Sequence, residues 1–563
     1  MRSLWLAKKA NRSVGMQLLA NPKKKKVEFR IIVKQSGEWV DQADPKSQIP
    51  NPSFDGTVKR GSATCPCCGY TTPVIRVCEQ LRDRHGGAND AALFCVVVAK
   101  SDGEGRCYRL PTANDRRCIE LAKEALDIKQ NEHVGAISLI PNEPLPPQGT
   151  LGFRVQRYGI TEWGHLFSVR QLLTLVSLVR IVQLTGARIT SELEPTLAEA
   201  VQTILGIAVS RFTDIFNSLC MWETSKTQVR HLFTRQAVPM LWDFAETNAL
   251  ADAAGNYDVT LNTMVRVLES TAFESVPGHV ERSSATTHPL PDDSASAFIT
   301  DPPYYDAVPY ADLSDFFYVW LKRSLPQTHS EAFEQALTPK VGECIVDPVK
   351  GKDAAFFEKT MKAAMQEGRR ILLPAGIAVV VFAHKSTSGW ETVLQAMIEA
   401  GWIITGSWPI DTELGNRLRA QGSAALASSV HLVCRPRENA DGEVTESVGE
   451  WRDVLGELPK RIHEWMPRLA AEGVVGADAI FACLGPALEV FSRYSRVEKA
   501  NGETATLREY LEFVWAAVST EALSLIGFVL GMQQIDVNPP AAADSVPLRI
   551  VSLYSKPGSR KWT

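Results

Sequence analysis

The 563-residue chain has no uninterrupted run of about eighteen apolar residues, the length a helix needs to cross a bilayer, so no membrane span is expected. Its first residues, Met1-Arg2-Ser3-Leu4-Trp5-Leu6-Ala7-Lys8-Lys9, hold too short an apolar stretch for a secretory signal. The expected compartment is the cytoplasm. Disulfides are then not expected, and the eleven cysteines read as reduced thiols or metal ligands. One C-x-x-C pair occurs, Cys65 and Cys68, and no second. A strong charge of either sign is missing too. The net charge is −4, with 45% hydrophobic and 22% charged residues, an ordinary balance for a soluble globular protein.

That small total hides an uneven distribution. Residues 1–60 carry thirteen Lys or Arg against five Asp or Glu, a balance of +8, which leaves −12 for the rest. A polyanion would meet local patches rather than the whole surface. The densest patch is Lys23-Lys24-Lys25-Lys26 after Asn21-Pro22, which alone reads as a solvated turn.

The stretch with the clearest chemistry is Ala297-Phe298-Ile299-Thr300-Asp301-Pro302-Pro303-Tyr304. A short apolar run stops at an acid. Two prolines follow, and their fixed φ and missing N–H groups end the strand in a stiff loop. Open α/β sheets bind their ligands at the carboxyl ends of strands. Asp301, the Pro302 carbonyl and Tyr304 suit a flipped-out base bearing an exocyclic amine. The carboxylate and the carbonyl can accept from the amine while the ring stacks on the base. An ordinary proline turn is the competing explanation. Average usage places this tetrapeptide in a chain of this length on the order of once in several hundred cases, which favours the functional loop.

Residues 1–64 read as β-rich, with a strand over 27–33 and breaks at Asn21-Pro22 and Asp44-Pro45. Thr64-Cys65-Pro66-Cys67-Cys68-Gly69 has the form of a zinc knuckle, in which Cys65 and Cys68 converge on one tetrahedral metal. One knuckle supplies two ligands, whereas a closed structural site needs four. Cys67, Cys78, Cys95, Cys107 and Cys118 are nearby without paired spacing, and buried reduced cysteines are the alternative.

Further along, helices are expected near 79–84 and 115–126, a strand at 92–98, and a proline-rich break at Pro141-Asn142-Glu143-Pro144-Leu145-Pro146-Pro147. Broad apolar helical faces run over 167–184 and 193–216. Beyond Tyr304 the pattern predicts helices at 312–324 and 356–367, a turn over 368–376 and a strand at 377–383. A helix at 391–400 and strands at 402–408 and 429–435 follow. This alternation is that of the second half of a doubly wound α/β domain, and its last two strands fit an antiparallel hairpin with a long loop. A charged linker at 438–450 precedes helices at 451–471, 477–494 and 507–531.

Together these stretches resemble the zinc-ribbon-containing adenine-specific DNA methylases. The resemblance covers Arg2 to about residue 525. It rests on Ser3-Leu4-Trp5-Leu6, residues 56–61, the Cys65 knuckle, residues 163–171 and Pro239-Met240-Leu241-Trp242-Asp243-Phe244-Ala245-Glu246. The Asp301 loop and Gly476-Ala477-Asp478-Ala479-Ile480-Phe481 complete it. It implies an α/β fold: a partial Rossmann-like class I methyltransferase sheet with a zinc-ribbon-like β insertion and helical additions. The expected parts are the insertion at 1–150, a helical DNA-recognition segment at 151–290, the catalytic lobe at 291–437 and a helical region at 438–563. The implied activity is transfer of a methyl group from S-adenosylmethionine to adenine N6 in DNA. Asp301, Pro302, Pro303 and Tyr304 would hold the amine and the base, and Cys65 and Cys68 would bind structural zinc. The glycine-rich Phe-x-Gly-x-Gly loop of such enzymes is missing. Neither His85-Gly86-Gly87 nor Gly473-Val474-Val475-Gly476 has the preceding strand it requires. The chain therefore reads as lacking an N-terminal cofactor half, which a partner polypeptide would supply. A non-catalytic DNA-binding component, or an enzyme acting on RNA or on a protein amide, are the other readings.

Overall fold

The computed structural model describes residues 1–529 apart from 11, 85, 100–104, 272–275, 277, 385–386, 411–428, 440–441, 473 and 475–476. The fold is mixed α/β. The chain divides into two units, one of Met1–Gly376 with Val381–Gly401, the other of Ile377–Val380 with the residues from Trp402 onward.

The first unit opens with β1 (Trp5–Ala7), β2 (Val14–Asn21), β3 (Lys26–Gln35) and β4 (Glu38–Asp41), which form an antiparallel sheet in chain order. Trp5 stacks on Phe54 with centroids 3.9 Å apart. Gly15 makes room for that ring, since a Cβ there would come within 2.1 Å of it. A second small sheet, β5 (Val58–Lys59), β6 (Ser62–Thr64) and β7 (Thr71–Thr72), carries the cysteine turn and leads into α1 (Val74–Asp83). The ribbon β8 (Val96–Ala99) and β9 (Arg106–Arg109) follows, then α2 (Ala113–Asn131), begun by a reciprocal Thr112–Asp115 capping box.

Next come α3 (Val169–Glu192), α4 (Pro195–Thr213), the ribbon β10 (Trp222–Glu223) and β11 (Gln228–Val229), and α5 (Tyr257–Thr271). They precede β12 (Ala295–Thr300) and α6 (Tyr310–Ser324). Trp163, Phe167, Leu175, Phe212, Phe316 and Trp320 share one buried core, which joins α3, α4 and α6. By length and composition α3 is apolar enough to cross a membrane, although charged residues interrupt it. Its apolar residues Leu172, Leu175, Val176 and Val179 lie in the core.

Two of the stretches that carry the resemblance meet at the start of α3. Ser168 and Gln171 form a capping box, the Ser168 hydroxyl donates to Glu246 Oε2 at 2.7 Å, and Arg170 Nε pairs with Glu246 Oε1 at 2.8 Å. Glu246 is thus a clamp for a helix start. Asp243 accepts the backbone N–H groups of Arg2 and Ser3.

The proline-rich break is tied down in the core. Glu143 and Leu145 are buried, and Glu143 forms a two-pronged ion pair with Arg323 of α6 at 2.9 and 3.1 Å.

The unit closes with α7 (Ala354–Ile371), β13 (Leu372–Phe382) and α8 (Thr387–Glu399). Here the structure corrects the expected turn over 368–376: helix passes directly into strand. Gly368 is a close-approach residue, because a Cβ there would lie 2.5 Å from the Phe298 ring of β12. A glycine between charged residues looks like a stop signal in sequence, yet here it serves helix–strand packing. β12 lies beside β13, and Ile299 on this strand is 73% exposed.

In the second unit, β13 residues 377–380 belong with β14 (Trp402–Ile410) and β15 (Ser429–Pro436), and β15 lies between β13 and β14. β14 and β15 pair antiparallel, as the hairpin expectation had it, with Ile404 opposite Cys434. The loop expected between them lies outside the described residues. Helices α9 (Trp451–Ala471), α10 (Ala477–Ala482), α11 (Leu484–Ser492) and α12 (Leu507–Val529) complete the unit, with a parallel pair β16 (Val448–Glu450) and β17 (Arg496–Glu498). The single helix expected at 477–494 is two helices. Gly485 sits where a Cβ would meet the Gly406 carbonyl carbon at 2.1 Å, so α11 rests directly on the β14 backbone. The glycine-rich stretch at 473–476 and the end of the last expected helix lie largely or wholly outside the described residues.

Candidate functional site

β12 ends at Thr300, and the chain leaves it as Asp301-Pro302-Pro303-Tyr304. Asp301 is exposed while Pro302 is buried, so the loop is anchored by a proline and presents its acid to solvent. Among the described residues neither the Asp301 carboxylate nor the Pro302 carbonyl has a recorded hydrogen-bond partner.

Tyr304 leans edge-on against Phe382, the last residue of β13, with centroids 5.5 Å apart. The loop ring is thereby fixed by the end of the neighbouring strand. The next residue, Tyr305, has φ +53°, an uncommon conformation for a bulky side chain. Its N–H donates to the Pro303 carbonyl at 3.1 Å, and its carbonyl accepts from Val346 N–H at 3.1 Å. Its ring meets Phe357 of α7 at 5.1 Å and His384 at 5.7 Å. Burial of the ring raises the Tyr310 hydroxyl above the ordinary phenol range, and the Asp301 charge adds to this. Behind the loop, Glu343 Oε1 accepts the Ala311 N–H at 2.7 Å, and Lys350 binds Asp312 and Asp347. Burial raises the Glu343 carboxyl.

His384 was not singled out by the sequence, although it stands just past the carboxyl end of β13, where chemistry is expected. Its Nε2 lies 3.2 Å from Asp306 Oδ1, its ring stacks on Phe382, and its carbonyl accepts from Trp390 Nε1 at 3.1 Å. The structure thus gathers Tyr304, Tyr305, Asp306, Phe382 and His384 around one strand end. A Cβ on Gly389 would stand 2.2 Å from His384 Nδ1. Gly389→Ala is expected to push the ring off Phe382 and cost about 1–3 kcal/mol, as overpacking does. Urea denaturation together with a shift in tryptophan emission checks this, and an unchanged midpoint refutes it.

Cys65 and Cys68 do share one turn. Cys65 N–H donates to the Tyr70 carbonyl, Gly69 N–H donates to the Cys65 carbonyl, and Gly69 has φ +75°. The Cys65 thiol is lowered from its ordinary value, first by the backbone N–H of Cys68 and then by that of Cys67. These are the N–H groups that support a knuckle thiolate, so the turn fits one half of a four-ligand zinc site. Among the described residues no group of three or more His, Cys, Asp or Glu could hold a metal ion. Cys67 Sγ instead faces the Lys26 carbonyl at 3.5 Å, and burial pushes Cys95 up to about 11. Near neutral pH, iodoacetamide is expected to label Cys65 in the native protein. Cys220 and Cys483, pushed by burial to about 12, stay unlabelled, and peptide mass spectrometry reads the difference.

A cavity of about 1730 Å³ lies elsewhere in the first unit, lined by the first strand, α2, α3 and residues 241–250, and by none of residues 301–304. The loop is taken as the site because it presents an acid, a carbonyl and a ring together at a strand end.

No family model matches the chain, and neither curated proteins nor solved structures give a significant match.

Proposed function

We propose that this chain is the base-holding part of an adenine-N6 DNA methyltransferase. The observation that carries the reading is the loop after β12, with an exposed Asp301, an anchored Pro302 and Tyr304 braced on Phe382. An extruded adenine brings an exocyclic amine and a π-face. Asp301 and the Pro302 carbonyl accept from the amine, and the nitrogen lone pair is left to point away from both. Tyr304 stacks on the base and offsets part of the unstacking cost. Asp301 rather than asparagine at this position leans toward a nucleobase over a protein amide. The work of the site is positioning.

The residues present fit the amine and not the methyl donor. No glycine-rich turn follows β12 or β13 in the sequence, so S-adenosylmethionine has no cradle on these strand ends. Within the second unit, β15 lies between β13 and β14 and pairs antiparallel with β14, which supports the later strands of a doubly wound sheet. In this reading residues other than these strand ends hold the donor, and further ligands complete the zinc site at the Cys65 turn.

The test is titration of the purified chain with S-adenosylmethionine, followed by assay of methyl transfer from labelled donor. The chain alone is expected to bind donor far more weakly than micromolar. Micromolar binding by the chain refutes the reading that these strand ends offer the donor no cradle. Transfer to RNA or protein instead of duplex DNA refutes the substrate.

A further inference from the structure

The lysine turn and the cysteine turn, about forty residues apart in sequence, touch in space. The β2–β3 hairpin pairs Asn21 with Lys26, and residues 22–25 form its tip. Lys24 N–H donates to Asn21 Oδ1 at 3.1 Å, Lys25 N–H donates to the Pro22 carbonyl at 3.3 Å, and Lys25 takes φ +49°. The tip is therefore a closed turn rather than a loose loop. Cys67 Sγ rests on its base, 3.5 Å from the Lys26 carbonyl.

All four lysines are exposed, and none makes an ion pair among the described residues. Four neighbouring ammonium groups repel one another and add nothing to folding. The turn is closed by Asn21 and Pro22, so its shape does not need them. Beyond the cysteine turn, Tyr70 is 66% exposed and Ile75 69% exposed. Unshared positive charge on a fixed tip is complementary to a row of phosphates, and Tyr70 closes the cysteine turn on which that tip rests.

We propose that the Lys23–Lys26 tip, seated on the Cys65–Cys68 turn, is a backbone-contacting surface for duplex DNA, with Tyr70 at its margin. The choice of duplex DNA rests on the methyltransferase reading, while the charge complementarity does not. The lysines set affinity and its salt dependence, and the ring adds a contact that salt does not screen.

The experiment is fluorescence anisotropy of the full chain with a labelled duplex over a salt series, without methyl donor. Changing all four lysines to alanine is expected to make the slope of log affinity against log salt shallower by about 2–4, near 0.9 per lost phosphate contact. Affinity at low salt falls about tenfold or more. The Lys→Arg counterpart keeps the slope. Tyr70→Ala weakens binding about threefold with the slope unchanged. A quadruple alanine variant with the wild-type slope and affinity overturns the assignment while leaving the methyltransferase reading intact. A wild-type chain that binds no duplex at low salt overturns both this assignment and DNA as the partner of the isolated chain. Loss confined to anionic vesicles, with the duplex isotherm unmoved, also overturns it.

Discussion

Asp301→Ala is expected to lower methyl transfer to an adenine-containing duplex by at least about 10²–10³-fold, the scale set by removing one pre-organised polar partner of the reacting group. The fold should not suffer. Asp301 is exposed and has no partner among the described residues, so its removal leaves no buried group unpaired. Asp301→Asn keeps one accepting oxygen and should retain more activity than the alanine variant. The comparison is made in single turnovers with labelled donor, and melting curves verify the fold. Tyr304→Ala should act differently. It removes a stacking surface, so it weakens binding of the duplex substrate by about 1–3 kcal/mol more than it slows a saturated complex. Full activity in Asp301→Ala would refute the assignment of this loop.

Arg323→Ala is expected to destabilise the first unit by about 3–5 kcal/mol, since it strands a buried carboxylate. Arg323 and Glu143 are 5% and 9% exposed at the side chain. The guanidinium also donates to the carbonyls of Ser138 and Val319 at 2.9 and 2.8 Å. One residue thus ties α6, the helix that follows the Asp301 loop, to the proline-rich stretch. The double variant Arg323→Met with Glu143→Leu should lose much less, because no charge is left unpaired. The difference in urea midpoint between single and double variants measures this. Equal losses would mean that the pair contributes packing alone. A loss of this size, set against the few kcal/mol by which domains exceed unfolding, should also lower soluble yield.

Part of this molecule could be read directly from residue order. Two prolines after an apolar run permit no continued central strand, and β12 ends at Thr300. The helix at Trp451–Ala471 follows its apolar period despite Pro459 and Pro467, and the antiparallel pair of β14 and β15 follows from two neighbouring apolar runs. The C-x-x-C spacing and its glycine fixed a turn whose backbone amides meet Cys65. These features depend on neighbours a few residues away, where φ restriction and periodicity act.

Other features were decided by tertiary structure. Gly368 read as a stop and is a contact with Phe298; Pro141-Asn142-Glu143-Pro144 read as a boundary and is held by a residue 180 positions away. Glu246 looked like one acid in an aromatic stretch and clamps the first turn of α3. His384 carried no local signature at all, and only the adjacency of β12 and β13 sets it among Tyr305, Asp306 and Phe382. The lysine run, ambiguous alone, gains meaning from the cysteine turn beneath it. The sequence by itself determined where the Asp301 loop begins and which atoms it offers. Only the tertiary structure decided what braces it, because a partner ring or charge far along the chain leaves no trace in local pattern and is brought close by burial of the core.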